Sequence, residues 1–258
     1  MKKILYLLTM PLLMACGDYI TEEERYIPLE DIECKRNILI EDFTGQLCSN
    51  CPDAHLVIND LGQQYGDHVI AVAIHAGHFG IAEGSNANIV GLMQPEGNAY
   101  ADYWGVSAYP AGIINRTSGV LKHTEWAAYA RQELTKESPM SISLTAAIID
   151  DNICIHTEIL PQDYCSGLLQ LWVTESNITA MQQYGGSLIP NYQHHHVYRA
   201  SVNGMWGEEI SLTADEPATY EHSIAIRDHW DTSNLSVIAF VYKESEGVLQ
   251  VAEQHINK

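Results

Sequence analysis

Cys48 and Cys51 stand two residues apart in the stretch NILIEDFTGQLCSNCPDAH, residues 37–55. Two thiols at that spacing between an apolar run and a helical pattern suit thiol–disulfide chemistry. Residues 38–40 are apolar, and beyond Pro52 the apolar positions fall at helical spacing. A cysteine at the start of a helix faces unpaired backbone N–H groups and the positive end of the helix dipole, which stabilise a thiolate. Cys48 is therefore the expected attacking thiol. Cys51, one turn further on, is the thiol expected to resolve a mixed disulfide. Asp42 lies six residues before Cys48 in the buried strand. A carboxyl group buried there has a raised pKa and is placed to accept the Cys51 proton.

The elements needed to hold these groups follow from the pattern around them. Residues 37–44 predict a buried strand, 52–65 a helix stopped by Gly66, and 68–75 a second buried strand, apolar at nearly every step. Strand, helix, strand is the start of a parallel α/β sheet. A Gly- and Asn-rich excursion, residues 76–95, precedes a short helix at 96–104, a strand at 111–115, a turn at Ser118 and Gly119, and a helix at 123–136. The character changes at Pro139. Seven strand-like runs follow, at 141–149, 153–160, 168–174, 195–201, 219–226, 235–242 and 248–254. Strands without convincing helices predict an antiparallel sandwich or barrel.

This order resembles the thioredoxin fold. EDFTGQLCSNC is similar to that family's strand, buried acid, Phe and CxxC, and GVSAYPAGII to its cis-proline strand. The resemblance implies Cys48 as attacking thiol, Cys51 as resolving thiol and Asp42 as buried proton acceptor. It also implies a cis Pro110 forming the substrate-side turn, with Tyr109 touching the bound partner. Leu47 stands where thioredoxin has tryptophan, and Ser49 and Asn50 replace Gly-Pro. A second resemblance covers nearly the whole mature chain. FTGQLCSNCP at 43–52, YPAGIINR at 109–116 and VYRASVNGMWGEE at 197–209 are similar to the outer-membrane-protein-twenty-eight family. That resemblance implies a lipoprotein in which a thioredoxin-like α/β domain is followed by an all-β antiparallel sandwich domain.

The expected organisation is a signal peptide and lipobox at 1–16, an acidic tether at 17–36, the thioredoxin-like domain at 37–138 and the β domain at 139–258. Lys2 and Lys3 precede an apolar stretch too short to span a bilayer. It ends in Leu-Met-Ala-Cys, which resembles a bacterial lipobox with Cys16 as the lipidated residue. A net charge of -20 argues against nucleic-acid binding, where basic patches provide most of the affinity. Beyond the inner membrane disulfides persist. Cys154 and Cys165 form a possible structural disulfide, and Cys34 is unassigned. Cys51 and His55 share a helix face near His75 and His78, but no second CxxC exists, so no metal is expected. His194, His195 and His196 alternate in direction on a strand and do not converge. No cofactor is expected.

The sequence thus reads as an outer-membrane lipoprotein, facing the periplasm or the cell surface, that exchanges disulfides with envelope protein thiols. The alternative is a non-catalytic surface binding or adhesion lipoprotein in which Cys48–Cys51 is a structural staple.

Overall fold

The computed structural model describes residues 32–85 and 87–256. Cys16, the lipobox and most of the acidic tether lie outside the described residues. Arg36, counted with the tether, is buried instead. It pairs with Glu133 and donates from Nη1 to the Val248 carbonyl at 3.3 Å.

The redox stretch folds as β1 (Ile38–Thr44), α1 (Cys51–Tyr65) and β2 (Val69–His75), with β2 parallel to β1. Every residue of β1 is buried, as the unbroken apolar run before Glu41 requires. α2 (Pro95–Trp104) leads to β3 (Ala111–Ile114), which returns antiparallel on the other edge of β1. α3 (Trp126–Leu134) lays Trp126, Ala130 and Leu134 inward.

From Met140 onward the described chain is almost wholly strand. β4 (Met140–Ile149), β5 (Asn152–Pro161) and β11 (Ala218–Ala225) form a three-stranded antiparallel sheet in the order β11-β5-β4. β6 (Cys165–Glu175), β9 (Val197–Ser201), β12 (Leu235–Lys243) and β13 (Gly247–His255) join β1, β2 and β3 in one large mixed sheet. Its order is β13-β12-β6-β9-β2-β1-β3, with β10 (Glu208–Leu212) paired to β6 off that path. β7 (Ile178–Tyr184) and β8 (Ser187–His194) make a separate two-stranded hairpin.

This architecture corrects the expected fold class. The expectation was a thioredoxin-like α/β domain followed by an all-β antiparallel sandwich domain. Strands from both sides of Pro139 instead share one sheet, joined where Ala73 of β2 pairs with Val197 of β9. One core packs Phe43, Ile74 and Ile113 against Trp172, Tyr198 and Phe240. Residues 33–258 accordingly form a single compact unit. The chain is a mostly-β protein with three α-helices among the described residues. The physical reason is that β2 leaves an edge open, and β9 covers it; an exposed buried-type strand edge is costly to leave unpaired. A second core, including Leu144, Ile155, Leu171 and Val237, lies between the three-stranded sheet and the β6–β12 end of the large one.

Candidate functional site

β1 delivers the chain to a tight loop, residues 45–50, and Cys51 opens α1. Pro52 sits in the first turn, where its missing N–H costs nothing. Cys48 and Cys51 are joined as a disulfide with their Cα atoms 5.4 Å apart. Cys48 is only 2% exposed and Cys51 fully buried. Gly45 is required by a close approach: a Cβ there would lie 2.5 Å from the carbonyl carbon of Phe79. The Leu47 N–H donates to the Phe79 carbonyl at 2.9 Å. The Tyr109–Pro110 peptide is cis. The Tyr109 ring packs edge-on against Phe79 at 5.6 Å, so Phe79 ties the proline turn to the cysteine loop. Phe79 was not singled out from sequence; its flanking Gly77 and Gly80 were the available signal.

Adjacent acids on β1 face opposite sides of the sheet, as the strand period of two demands. Glu41 accepts a 2.6 Å bond from Arg116 Nε. The Arg116 guanidinium lies 4.3 Å from the Tyr242 ring centroid and 4.9 Å from that of Phe240. Asp42 has no such partner. It is fully buried, neither carboxyl oxygen makes a hydrogen bond, and burial raises its pKa well above the usual range. His55, one turn after Cys51, stands beside it with Nε2 at 3.6 Å. His55 is held in turn by Thr44 Oγ1 at 3.2 Å and the Tyr192 hydroxyl at 2.8 Å.

Asp42 and His55 open into a cleft of about 880 Å³. Its floor includes Ala71, Ala73 and His75, the face of β2 opposite Ile74 and the core, and β8 contributes Tyr192 and His194. His75 and His194 stand edge to face, 5.4 Å between centroids, and neither ring nitrogen of His75 is hydrogen-bonded. Burial, reinforced by each neighbouring imidazole, lowers His75 well below 6.5 and His194 to about 3. Burial, then His195, lowers His55 to about 4. The histidines are thus neutral at pH 7. Among the described residues no three His, Cys, Asp or Glu side chains are spaced to hold one metal ion. His194, expected to be solvated or hydrogen-bonded, is buried against Tyr192 and His75 with a backbone hydrogen bond at Met181; β8 ends on it, and the chain turns at His196 with φ of 54°.

The β7–β8 hairpin closes over the cysteine loop. The Gln183 N–H donates to the Gln46 carbonyl at 2.8 Å, and Gln182 Nε2 donates to the carbonyls of Cys48 at 2.9 Å and Gly45 at 3.2 Å. The Tyr184 hydroxyl donates to Asp53 at 2.9 Å. None of these hairpin residues was anticipated. The Gly185-Gly186 pair between two strand-length runs was the usable hairpin signal.

Cys154 and Cys165 are not bonded, which corrects the possible second disulfide; with Cys34 they are free thiols. Strand alternation explains it. Ile153 and Ile155 point into the core and turn Cys154 outward, whereas Cys165 packs inside that core.

A protein-family model described as outer membrane protein Omp28 matches residues 97–258. The chain belongs to the Omp28 family. It is therefore an outer membrane protein, and among its described residues no helix is long and apolar enough to cross a membrane. The Omp28 match spans the proline turn and the YPAGIINR and VYRASVNGMWGEE motifs, but begins beyond Cys48 and Cys51. Among solved structures, HBP35 of Porphyromonas gingivalis is 16% identical, with a TM-score of 0.66 over 87% of this chain and 76% of that one. A protein from Agrobacterium tumefaciens is 13% identical, with a TM-score of 0.52 over 86% and 96%. At those identities the likeness is one of fold. A domain of the outer membrane lipoprotein Omp28 from Porphyromonas gingivalis is 22% identical over 46% of this chain and 89% of that one, with a TM-score of 0.34. No curated protein matches the chain.

Proposed function

We propose that this Omp28-family protein exchanges disulfides with protein thiols of the cell envelope through Cys48 and Cys51, and is anchored to the outer membrane by lipid on Cys16. The observation that carries the reading is the Cys48–Cys51 disulfide at the N-terminus of α1, with an unpaired, buried Asp42 on the strand that feeds it. Burial keeps Asp42 protonated to higher pH than an ordinary carboxyl. Starting from the oxidised pair, a partner thiolate attacks Cys48 Sγ and forms a mixed disulfide. The Cys48–Cys51 bond breaks, and Cys51 leaves with the electron pair as a thiolate that takes the Asp42 proton. A second partner thiolate then attacks the partner sulfur of the mixed disulfide and releases Cys48. The partner loses two electrons and the pair gains them. Each step is reversible, so the same groups serve reduction. Tyr109 and Pro110 form the partner-facing turn.

Cys51→Ser tests this directly. That variant, reduced at Cys48, should accumulate mixed disulfides with envelope proteins on non-reducing gels, and Cys48→Ser should not. Equal trapping by both variants rejects the assignment of roles. Mass spectrometry of the mature N-terminus should find acyl groups on Cys16.

The burial of both sulfurs favours a second reading, a binding or adhesion lipoprotein in which the disulfide only staples the loop to α1. In that case neither variant traps a partner.

A further inference from the structure

Among the described residues the β7–β8 hairpin pairs with no other strand, yet it is seated on the cysteine loop through main-chain groups. Three successive odd-numbered residues of β7 and its turn each present one main-chain group to that loop. The Met181 carbonyl accepts from Gln46 Nε2 at 3.3 Å, the Gln183 N–H donates to the Gln46 carbonyl at 2.8 Å, and the Gly185 N–H donates to the Ser49 carbonyl at 3.3 Å. Gly186 N–H adds a 3.1 Å bond to Ser49 Oγ. Main-chain contacts at every second residue are how an extended polypeptide is held against an open backbone edge. The Gln182 side chain, fully buried, fills the space beside Cys48. The tip is exposed: Leu188 stands 57% and Tyr184 38% open to solvent. The base is fixed, with Ala180 packed against Leu92 and Val197.

We infer that residues 181–186 occupy the place where an extended segment of a partner polypeptide docks to reach Cys48, so that the hairpin tip must lift before exchange. The inference rests on the thiol-exchange reading and assigns it a substrate class: an unfolded or extended protein segment held through its backbone. It also reconciles that reading with the burial of Cys48. The carbonyls of Gln46 and Ser49, released by the tip, accept N–H groups from the incoming chain. Because the recognition is through the backbone, it does not depend on the partner's side-chain sequence.

The test separates access from chemistry. Gln182→Ala removes the two bonds to Gly45 and Cys48, and Tyr184→Phe removes the bond to Asp53. The rate at which a small phosphine reduces Cys48–Cys51 in the folded protein reads access alone. Two neutral hydrogen bonds lost should raise the lifted fraction, and hence that rate, by about tenfold for Gln182→Ala, with a smaller rise for Tyr184→Phe. A synthetic peptide of residues 178–187 should then slow reduction of the Gln182→Ala protein, and the same peptide N-methylated at Gln183 and Gly185, which lacks the two N–H groups that the loop carbonyls accept, should not. Circular dichroism confirms that each variant is folded, and Tyr184→Phe carries the test if Gln182→Ala is not. Reduction of the folded variants at the wild-type rate overturns the inference. So does faster reduction that the plain and N-methylated peptides affect equally. Failure of partner trapping with phosphine reduction still accelerated would overturn the exchange reading instead.

Discussion

Lowering the pH from 8 to 5 loads protons onto the unfolded chain that the folded cleft refuses. His55 is lowered to about 4 and His194 to about 3, in each case first by burial. The groups facing His55 are Asp42, Thr44, Tyr192 and His195; those facing His194 are His75, Tyr192, His55 and His195. A lowered imidazole leaves stability untouched above about pH 6.5 and reduces it progressively below, until the folded-state value is reached. At pH 5 that is 1.5 pH units of unequal proton uptake, or about 2 kcal/mol for each histidine. Together His55 and His194 cost about 4 kcal/mol, a large share of a total stability of roughly 5–15 kcal/mol. Asp42 acts in the opposite sense: its pKa is raised, so the folded state binds the proton first and gains stability as pH falls towards 3.8. Comparing variants cancels that contribution. Urea unfolding followed by tryptophan fluorescence at pH 8, 6.5 and 5 should show the wild type losing about 2 kcal/mol relative to His194→Gln between pH 8 and pH 5. His55→Gln should give a similar difference. A difference that stays within about 0.5 kcal/mol across that range would refute the desolvated-imidazole account.

Asp42→Ala should slow thiol exchange by about a hundredfold or more while leaving the urea midpoint unchanged or higher, since it removes a desolvated, unpaired acid; an unchanged rate removes its proton role. Arg116→Met strands Glu41 in a buried site and should cost about 3–5 kcal/mol in urea unfolding. Adding Glu41→Leu should recover most of that loss, and a double variant as unstable as the single would argue against the pair. Gly77→Ala places a Cβ 2.6 Å from the Tyr109 hydroxyl at a φ of 64°, and a loss of roughly 1–3 kcal/mol is expected. A Gly77→Ala protein with the wild-type midpoint would show that Tyr109 is not tightly seated.

What was legible in the sequence was local. The cysteine spacing, Pro52 opening a helix, the buried acid on β1 and the proline after Tyr109 are all short-range patterns, and the structure places a disulfide, a helix start, an orphaned carboxyl and a cis peptide at those positions. The joining of the two halves was not legible, because β2 and β9 lie more than a hundred residues apart and meet through one paired residue, Ala73 with Val197. Neither strand carries a mark naming its neighbour. β7 and β8 escaped notice for a different reason. Gln182 and His194 are polar on the buried side, Leu188 is apolar on the exposed side, Pro190 falls inside β8, and a hairpin with that mixture shows no regular apolar alternation. That omission hid the cover over Cys48, and with it the burial of the sulfur. The buried imidazoles were equally invisible: His75 and His194 come together only once β2 and β8 face the same cleft.

If Cys48 and Cys51 exchange electrons rather than staple a loop, their reduction potential lies in the range of exchanging pairs. The equilibrium reduction potential of the pair, measured against a glutathione or dithiothreitol series with Cys48→Ser as control, tests that exchange most directly. A potential between roughly -120 and -270 mV, with turnover of a protein disulfide, is expected. A potential below about -300 mV with no turnover would contradict the account and leave the disulfide a structural one.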